Sequence, residues 1–519
     1  MIQNFNTLFN KPQENKILIT PRNHNEFLVD FSLEEMEMAV SRQFEFTVAN
    51  YNFIPKKQKR NWSGKVKLLS NIGTFPVGLF EEFIKVARRP IYSLKFGKVK
   101  IVFKNTTPKD FIQKYYQPKL DFPWIKRPKL LNYLIRKPDF QIRDYQELGA
   151  LIALKNGRAI LKFPTGSGKT CLIYLISISY NFVLPKLKHL IIVPNISLLE
   201  QTTNDINGFA QKKIVNQIHG KNTKLVPGLN ILTWQTLLSY IKRKKIGPNA
   251  GSIIVDECHS LAKGYEIKRT VEFFKNTRYR FGVSATLPSD PLEKKNIIAA
   301  CGPVRASYVA DSFVRKGVLS EGRIHIVQIY HRPDIFTKHE RTDMLYAEVK
   351  NRVFESPFRL EILISIIKKC YEKNEKILIV TEKNEKEAFL LYDLVNELFP
   401  TDDLIQYKSS LSKEDREFLR NQIEKRPDGV IIISNFAMFK LGINIPSLQT
   451  LILASSLKSE ISVPQVIGRI LRRKKNVISR IYDIADFNVP FLPRHSKKRL
   501  EIYKENLSSF PIHFSNFYE

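Results

Sequence analysis

The stretch Pro164-Thr165-Gly166-Ser167-Gly168-Lys169-Thr170 carries the residue types that grip a polyphosphate. Glycines let backbone pass close to phosphate oxygens, and a strand–loop–helix turn aims N–H groups and a helix N-terminus at them. Lys169 would reach the β and γ phosphates and the Thr170 hydroxyl would ligate Mg²⁺. Phe163 fills the first position of the usual G-x-x-x-x-G-K-T pattern, which in this logic does not touch phosphate. Asp256 and Glu257 close the apolar run SIIVDE. Asp256 would hold Mg²⁺ through water, and Glu257 would polarise the attacking water. Gln465, Arg469 and Arg472, spaced four and three apart, share one face of a helix. Fixed guanidinium donors there suit a γ-phosphate approached from a second domain, an effect worth roughly 10³ to 10⁵ in rate. Each element has a plainer reading: a chance glycine turn, a strand end capping a helix, a solvated basic face running into Arg473-Lys474-Lys475. Together they make one ATP-hydrolysing site divided between two folded halves.

Such a site needs strands that end where the chemistry is. Short apolar runs at 158–163, 189–194, 228–234, 252–257 and 279–285 read as strands buried on both faces of a parallel sheet. Helical stretches such as 170–179 and 196–206 supply the crossovers. A second series follows at 323–330, 376–381, 429–434, 450–455 and 480–486, so two doubly wound α/β units stand in tandem. Ser284 and Thr286 end the strand after the acidic one, where small hydroxyl groups can bond across to it. The expected organisation is an N-terminal DNA-binding domain of α+β type at 1–125, a Pro-broken basic linker at 126–139 and lobes at 140–315 and 316–489. A basic, Phe-rich tail at 490–519 closes the chain.

The 519 residues hold 83 Lys and Arg against 50 Asp and Glu, a net charge of +33 that attracts nucleic acid. In the N-terminal zone, Lys56, Lys57, Lys59 and Arg60 stand beside Tyr51, Phe53 and Trp62. A basic run among aromatics can clamp phosphates and stack on bases. The lysine run reads as facing DNA, whereas Trp62 and Leu68-Leu69 read as core. Four cysteines without a C-x-x-C pair argue against a zinc or disulfide framework. No run nears about 18 apolar residues and the first residues lack a signal-peptide pattern, so a soluble, cytoplasmic protein with no membrane partner is expected.

The ordered motifs resemble superfamily 2 helicases: Arg143-x-x-Gln146, FPTGSGKT, VPNISLLEQ at 193–201, TWQTL at 233–237, DECH, SAT, SNFAMFKLGINIP at 434–446 and QVIGRILR. The resemblance implies RecA-like lobes, with Arg143 and Gln146 recognising adenine and His259, Ser284, Thr286 and Gly442 coupling the site to movement. Pro194, Asn195, Thr233 and Gln235 would hold the nucleic-acid backbone. Asn195 stands where Thr is usual and Asn444 where Asp is common, and both keep hydrogen-bonding capacity.

Within that superfamily, NWSGKVKLL at 61–69 and FPVGL at 75–79 look similar to the N-terminal module of the phage UvsW recombination helicases. That likeness implies branched DNA: forks, junctions and RNA–DNA hybrids in R-loops. It also implies recombination or single-strand-binding proteins as partners. A double-strand translocase, an RNA helicase and a non-hydrolysing binding protein are the alternatives; no clustered Asp/Glu/Lys site supports a nuclease.

Overall fold

The computed structural model describes residues 15–48, 51, 62–96, 99–117, 120–219, 224–244, 246–262, 265–336, 346–382, 385–407, 410–436, 445–456, 462–471 and 478–519. The chain divides into two compact units, Met1–Lys162 with Thr170–Ser307, and Phe163–Lys169 with Tyr308–Glu519.

The first unit begins with strands β1 (Asn15–Pro21), β2 (Glu26–Phe31), β3 (Glu45–Thr47), β4 (Lys65–Lys67), β5 (Thr74–Pro76) and β6 (Val99–Phe103). Four form a sheet ordered β5-β2-β1-β6, and β3 pairs with β4 as a separate antiparallel hairpin. In β1 and β2 alternate side chains turn inward (Ile17, Ile19, Phe27, Val29), as a sheet with one covered face requires. The Phe27 ring meets Phe75, Phe80, Phe83 and Phe111 with centroids 5.6 to 5.8 Å apart. Leu68 and Leu69 are buried, as their sequence context indicates.

The same unit then builds β7 (Arg158–Lys162), β8 (Lys188–Val193), β9 (Val215–Gln217), β10 (Gly228–Thr233), β11 (Ser252–Asp256), β12 (Tyr279–Ser284) and β13 (Val304–Ser307). Their order is β13-β7-β12-β11-β8-β10-β9, and every pairing is parallel. β11 is buried at all five positions and β12 at all six, the signature of strands covered on both faces.

This sheet and the N-terminal one share a continuous hydrophobic core. His24 N–H donates to the Lys275 carbonyl at 2.9 Å, and the buried Arg158 guanidinium donates to the His24 carbonyl. Arg305 pairs with Glu81 at 2.5 Å, and Lys295 pairs with Glu82. The stretch read as a linker also packs here: Leu131 is fully buried, and Arg136 N–H donates to the Phe209 carbonyl at 2.8 Å. Proline steps excluded a long helix but left short helical turns, Pro123–Lys126 and Pro128–Leu134.

The second unit contains β14 (Gly322–Tyr330), β15 (Lys376–Thr381), β16 (Leu404–Tyr407), β17 (Val430–Asn435), β18 (Thr450–Leu453), β19 (Ser479–Phe487) and β20 (Ile512–Tyr518). They run parallel in the order β16-β17-β15-β18-β19-β14-β20. The residues read as a basic tail form helix Leu492–Asn506 and the edge strand β20. Buried Arg499 and Tyr503 tie that helix to Asp483 at 2.7 and 2.6 Å. No helix among the described residues is long and apolar enough to cross a membrane.

Gly78 is where the two parts of the first unit meet backbone to backbone. A Cβ there would lie 2.1 Å from the Ile298 carbonyl oxygen and 2.6 Å from that of Ala299. Gly78→Val is expected to lower stability by about 1–3 kcal/mol, the usual cost of overpacking, read as an earlier urea midpoint.

Candidate nucleotide site and nucleic-acid edge

Parallel pairing puts the carboxyl ends of the seven strands β7 to β13 on one edge of their sheet. The glycine-rich loop follows β7, Ser284 ends the neighbouring β12, and Asp256 ends β11 beside that strand. Pro194 and Asn195 follow β8, and Thr233 ends β10, aligned with Val193 of β8. The edge thus runs from the residues expected at phosphate to those expected at a nucleic-acid backbone.

The loop turns through Gly166 and Gly168, whose φ angles of +84° and +81° lie in the left-handed region that only glycine adopts freely. Lys169 opens the helix Lys169–Val183, with Thr170 next to it in the first turn. Loop residues Phe163–Lys169 cluster with the second unit, and Phe163 supplies a reason. It is buried, its ring 4.9 Å from Tyr308 and 6.4 Å from Phe313. The position where the common motif carries a small residue is here an aromatic anchor.

Helix Ser462–Ile470 carries Gln465 and Arg469, both partly buried. Its Gly468 lies against the loop: a Cβ there would sit 2.5 Å from Thr165 Cβ, and one on Gly166 would be 3.7 Å from the Gly468 carbonyl. Glycine costs about 1 kcal/mol against alanine inside a helix, so close approach is the reason for it here. Leu319 covers the other side of Gly166, 2.9 Å from its Cβ position; no motif marks that leucine. Arg472 and Gly442 lie outside the described residues, as do Lys56, Lys57, Lys59 and Arg60.

After Asp256 the chain turns at Glu257 with φ +48° and ψ +51°, a conformation costing a non-glycine residue about 1–2 kcal/mol. The turn is held by Glu257 N–H donating to Asp256 Oδ1 at 2.9 Å. Glu257 Oε2 lies 3.2 Å from His259 Nδ1 and 3.2 Å from Ser284 Oγ, and His259 Nδ1 is 3.0 Å from Ser284 Oγ. The Ser284 hydroxyl also faces the Thr286 carbonyl at 2.8 Å. The hydroxyl proton therefore has the acidic side chain and the backbone two residues on as acceptors, and His259 Nδ1 as a third in the tautomer that leaves that nitrogen bare. Cys258 is the inert member of DECH. Burial pushes its thiol well above the usual range, and its sulfur packs on the bare Cα of Gly282.

Other expected residues have structural duties as well. Arg143 N–H donates to Gln146 Oε1 at 3.0 Å and the Arg143 guanidinium to Tyr145 Oη at 2.7 Å, which orients the buried Gln146 amide. Asn195 caps helix Ile196–Ala210, accepting from Leu198 N–H at 2.9 Å, and Thr233 caps Trp234–Lys242. Gln235 is exposed. Trp62 departs from expectation: it is 41% exposed rather than core, although its indole N–H bonds to the Lys65 carbonyl and its ring meets Tyr51 edge to face.

The fold and site define a class, the two-lobed superfamily 2 helicase with RecA-like α/β lobes behind an α+β region. Family profiles agree: "Type III restriction enzyme, res subunit" matches residues 135–289, "Helicase conserved C-terminal domain" 359–474 and "DNA helicase UvsW, N-terminal" 23–97. The ATP-dependent DNA helicase uvsW of Enterobacteria phage T4 is 25% identical over 452 residues, 85% of each chain. The DNA 3'-5' translocase XPB2 of Sulfurisphaera tokodaii is 25% identical over 376 residues, 66% of this chain and 81% of that one. Among solved structures, an ATP-dependent Type ISP restriction-modification enzyme, LlaBIII, bound to DNA superposes with a TM-score of 0.54 at 15% identity. It covers 82% of this chain and 34% of its own, a likeness of fold. The chain is a UvsW-like superfamily 2 helicase, an ATP-dependent DNA helicase and so an ATP hydrolase.

Two outcomes follow from the geometry. Gly468→Ala should cut steady-state ATP turnover roughly 10- to 100-fold, the scale of a misplacement near 1 Å, with an unaltered circular dichroism spectrum. Ser284→Ala should lower the base pairs opened per ATP hydrolysed by several-fold, measured on one forked substrate.

Proposed function

We propose that this helicase acts on branched DNA, unwinding forks, migrating junctions and displacing R-loops in recombination, repair or replication. ATP binds through the Gly166–Thr170 turn, with Gln146 reading adenine. The observation that carries the reading is the ordered carboxyl edge of the first sheet, phosphate loop to Asp256 to Asn195 and Thr233, with Gly468 against the loop in the second unit. The likeness to a phage uvsW helicase supports branched DNA as the track, and the surplus of 33 positive charges supports a polyanion.

Glu257 orients and deprotonates the attacking water, while Arg469 and Arg472 neutralise charge on the transferred phosphoryl group. The Thr170 hydroxyl and the Asp256 carboxylate are hard oxygen donors that would hold Mg²⁺, and a cation so held would neutralise phosphate charge. The Ser284 hydroxyl passes the state of Glu257 to Thr286. Pro194, Asn195, Thr233 and Gln235 hold the DNA backbone, and the N-terminal region supplies further DNA contacts. Recombination or single-strand-binding proteins are its partners.

A double-strand translocase that tracks without unwinding is the second reading, favoured by the likeness to a protein named as a translocase. Lys169→Ala and Glu257→Gln are expected to lose DNA-stimulated ATP hydrolysis by roughly 10²-fold or more. Turnover by the unaltered protein should be highest on four-way junctions and forks, lower on plain duplex and lowest on RNA. Retained turnover in both variants, or equal stimulation by every nucleic acid, contradicts the reading.

A further inference from the structure

We propose that Trp62 is the strand-separating wedge of this helicase, an aromatic platform on the β3–β4 hairpin against which the last base pair of a DNA junction stacks and parts. The inference rests on the helicase reading and names the residue that opens the duplex.

Trp62 is 41% exposed, yet it is held on several sides. Its indole N–H donates to the Lys65 carbonyl at 3.0 Å, which fixes the ring against the hairpin. The Tyr51 hydroxyl donates to the Trp62 carbonyl, and the two rings meet edge to face at 89° with centroids 5.5 Å apart. Tyr51 is itself set by Gly64, at φ +76°, where a Cβ would fall 2.3 Å from the tyrosine ring. A large apolar ring that is exposed but immobilised costs little further entropy when it meets a flat partner. A nucleobase is such a partner, and every base offers a π-face whatever its identity.

Charge and anchoring narrow the role. Lys65 and Lys67, beside Trp62 on β4, both reach Glu45 on β3, at 2.7 and 3.9 Å. One carboxylate against two ammonium groups leaves a positive charge beside the ring, which suits a base whose phosphate lies close by. The hairpin root is sunk in the core: Leu68 N–H donates to the Phe44 carbonyl at 3.0 Å, and the Phe44 ring lies 4.7 Å from Phe75. That core continues into the sheet that ends in Ser284 and Asp256. A wedge must not yield when the duplex is driven against it. Trp62 stands on the same body as the acidic end of the ATPase site.

The test uses the full chain on one forked DNA carrying 2-aminopurine at the first paired position, with unwinding and ATP hydrolysis measured together. Trp62→Ala should lower the base pairs opened per ATP at least ~5-fold, since base–aromatic stacking scales to roughly 5- to 100-fold. The same variant should relieve the 2-aminopurine quenching seen with the unaltered protein. Trp62→Phe keeps a stacking face and should retain most of the ratio. Gly64→Ala, which drives a methyl group into the Tyr51 ring, should give an intermediate loss. A ratio unchanged in Trp62→Ala overturns the proposal, and so does an equal loss in Trp62→Ala and Trp62→Phe, the mark of a collapsed hairpin. An unaltered protein that hydrolyses ATP on DNA but opens no fork overturns the helicase reading instead.

Discussion

Everything the ATPase side does depends on strands that all run the same way. A parallel pair must be joined by a crossover that returns to the starting edge, so every strand delivers its carboxyl end to one side of the sheet. In the first unit this brings Lys162, Ser284, Asp256, Val193 and Thr233 to neighbouring positions on one edge, although they are scattered along the chain. The burial of β11 and β12 on both faces is what keeps that edge rigid. Groups on short turns at that edge are then held in place by the sheet itself.

Glycine makes the close contacts possible at three points, each for a different reason. Gly166 supplies a left-handed turn, Gly468 lets a helix approach Thr165, and Gly78 lets backbone meet backbone between the N-terminal region and helix Pro291–Cys301. The last of these makes the N-terminal region part of the first unit. It shares a core and hydrogen bonds with the sheet β7 to β13.

The DECH turn puts backbone strain and a shared hydrogen bond at the same residues. Glu257 is held left-handed by its own N–H on Asp256, with its carboxylate facing His259 and Ser284. Backbone in such a region persists only where its surroundings over-determine it. The Ser284 hydroxyl lies between that carboxylate and the Thr286 carbonyl, at 3.2 and 2.8 Å.

The long buried strands were legible in the primary structure, because near-continuous apolar runs bounded by turns have few other uses. The runs at 158–163, 189–194, 252–257 and 279–285 all emerge as strands, and the spacing of Gly166, Gly168 and Lys169 foretells a phosphate loop at the end of one. The short edge strands β9, β13 and β16 escaped notice, and so did β20, whose IHFSNFY run is mostly exposed and lacks an apolar period. Tertiary packing decided what local pattern leaves open. It buried Phe163 on Tyr308 and Phe313, folded 126–139 against the first unit, and merged the N-terminal sheet into the ATPase core. It also left Trp62 outside, where composition favoured the interior. The reason is physical: periodicity reports which face of a segment avoids water, but not which distant segment will cover it.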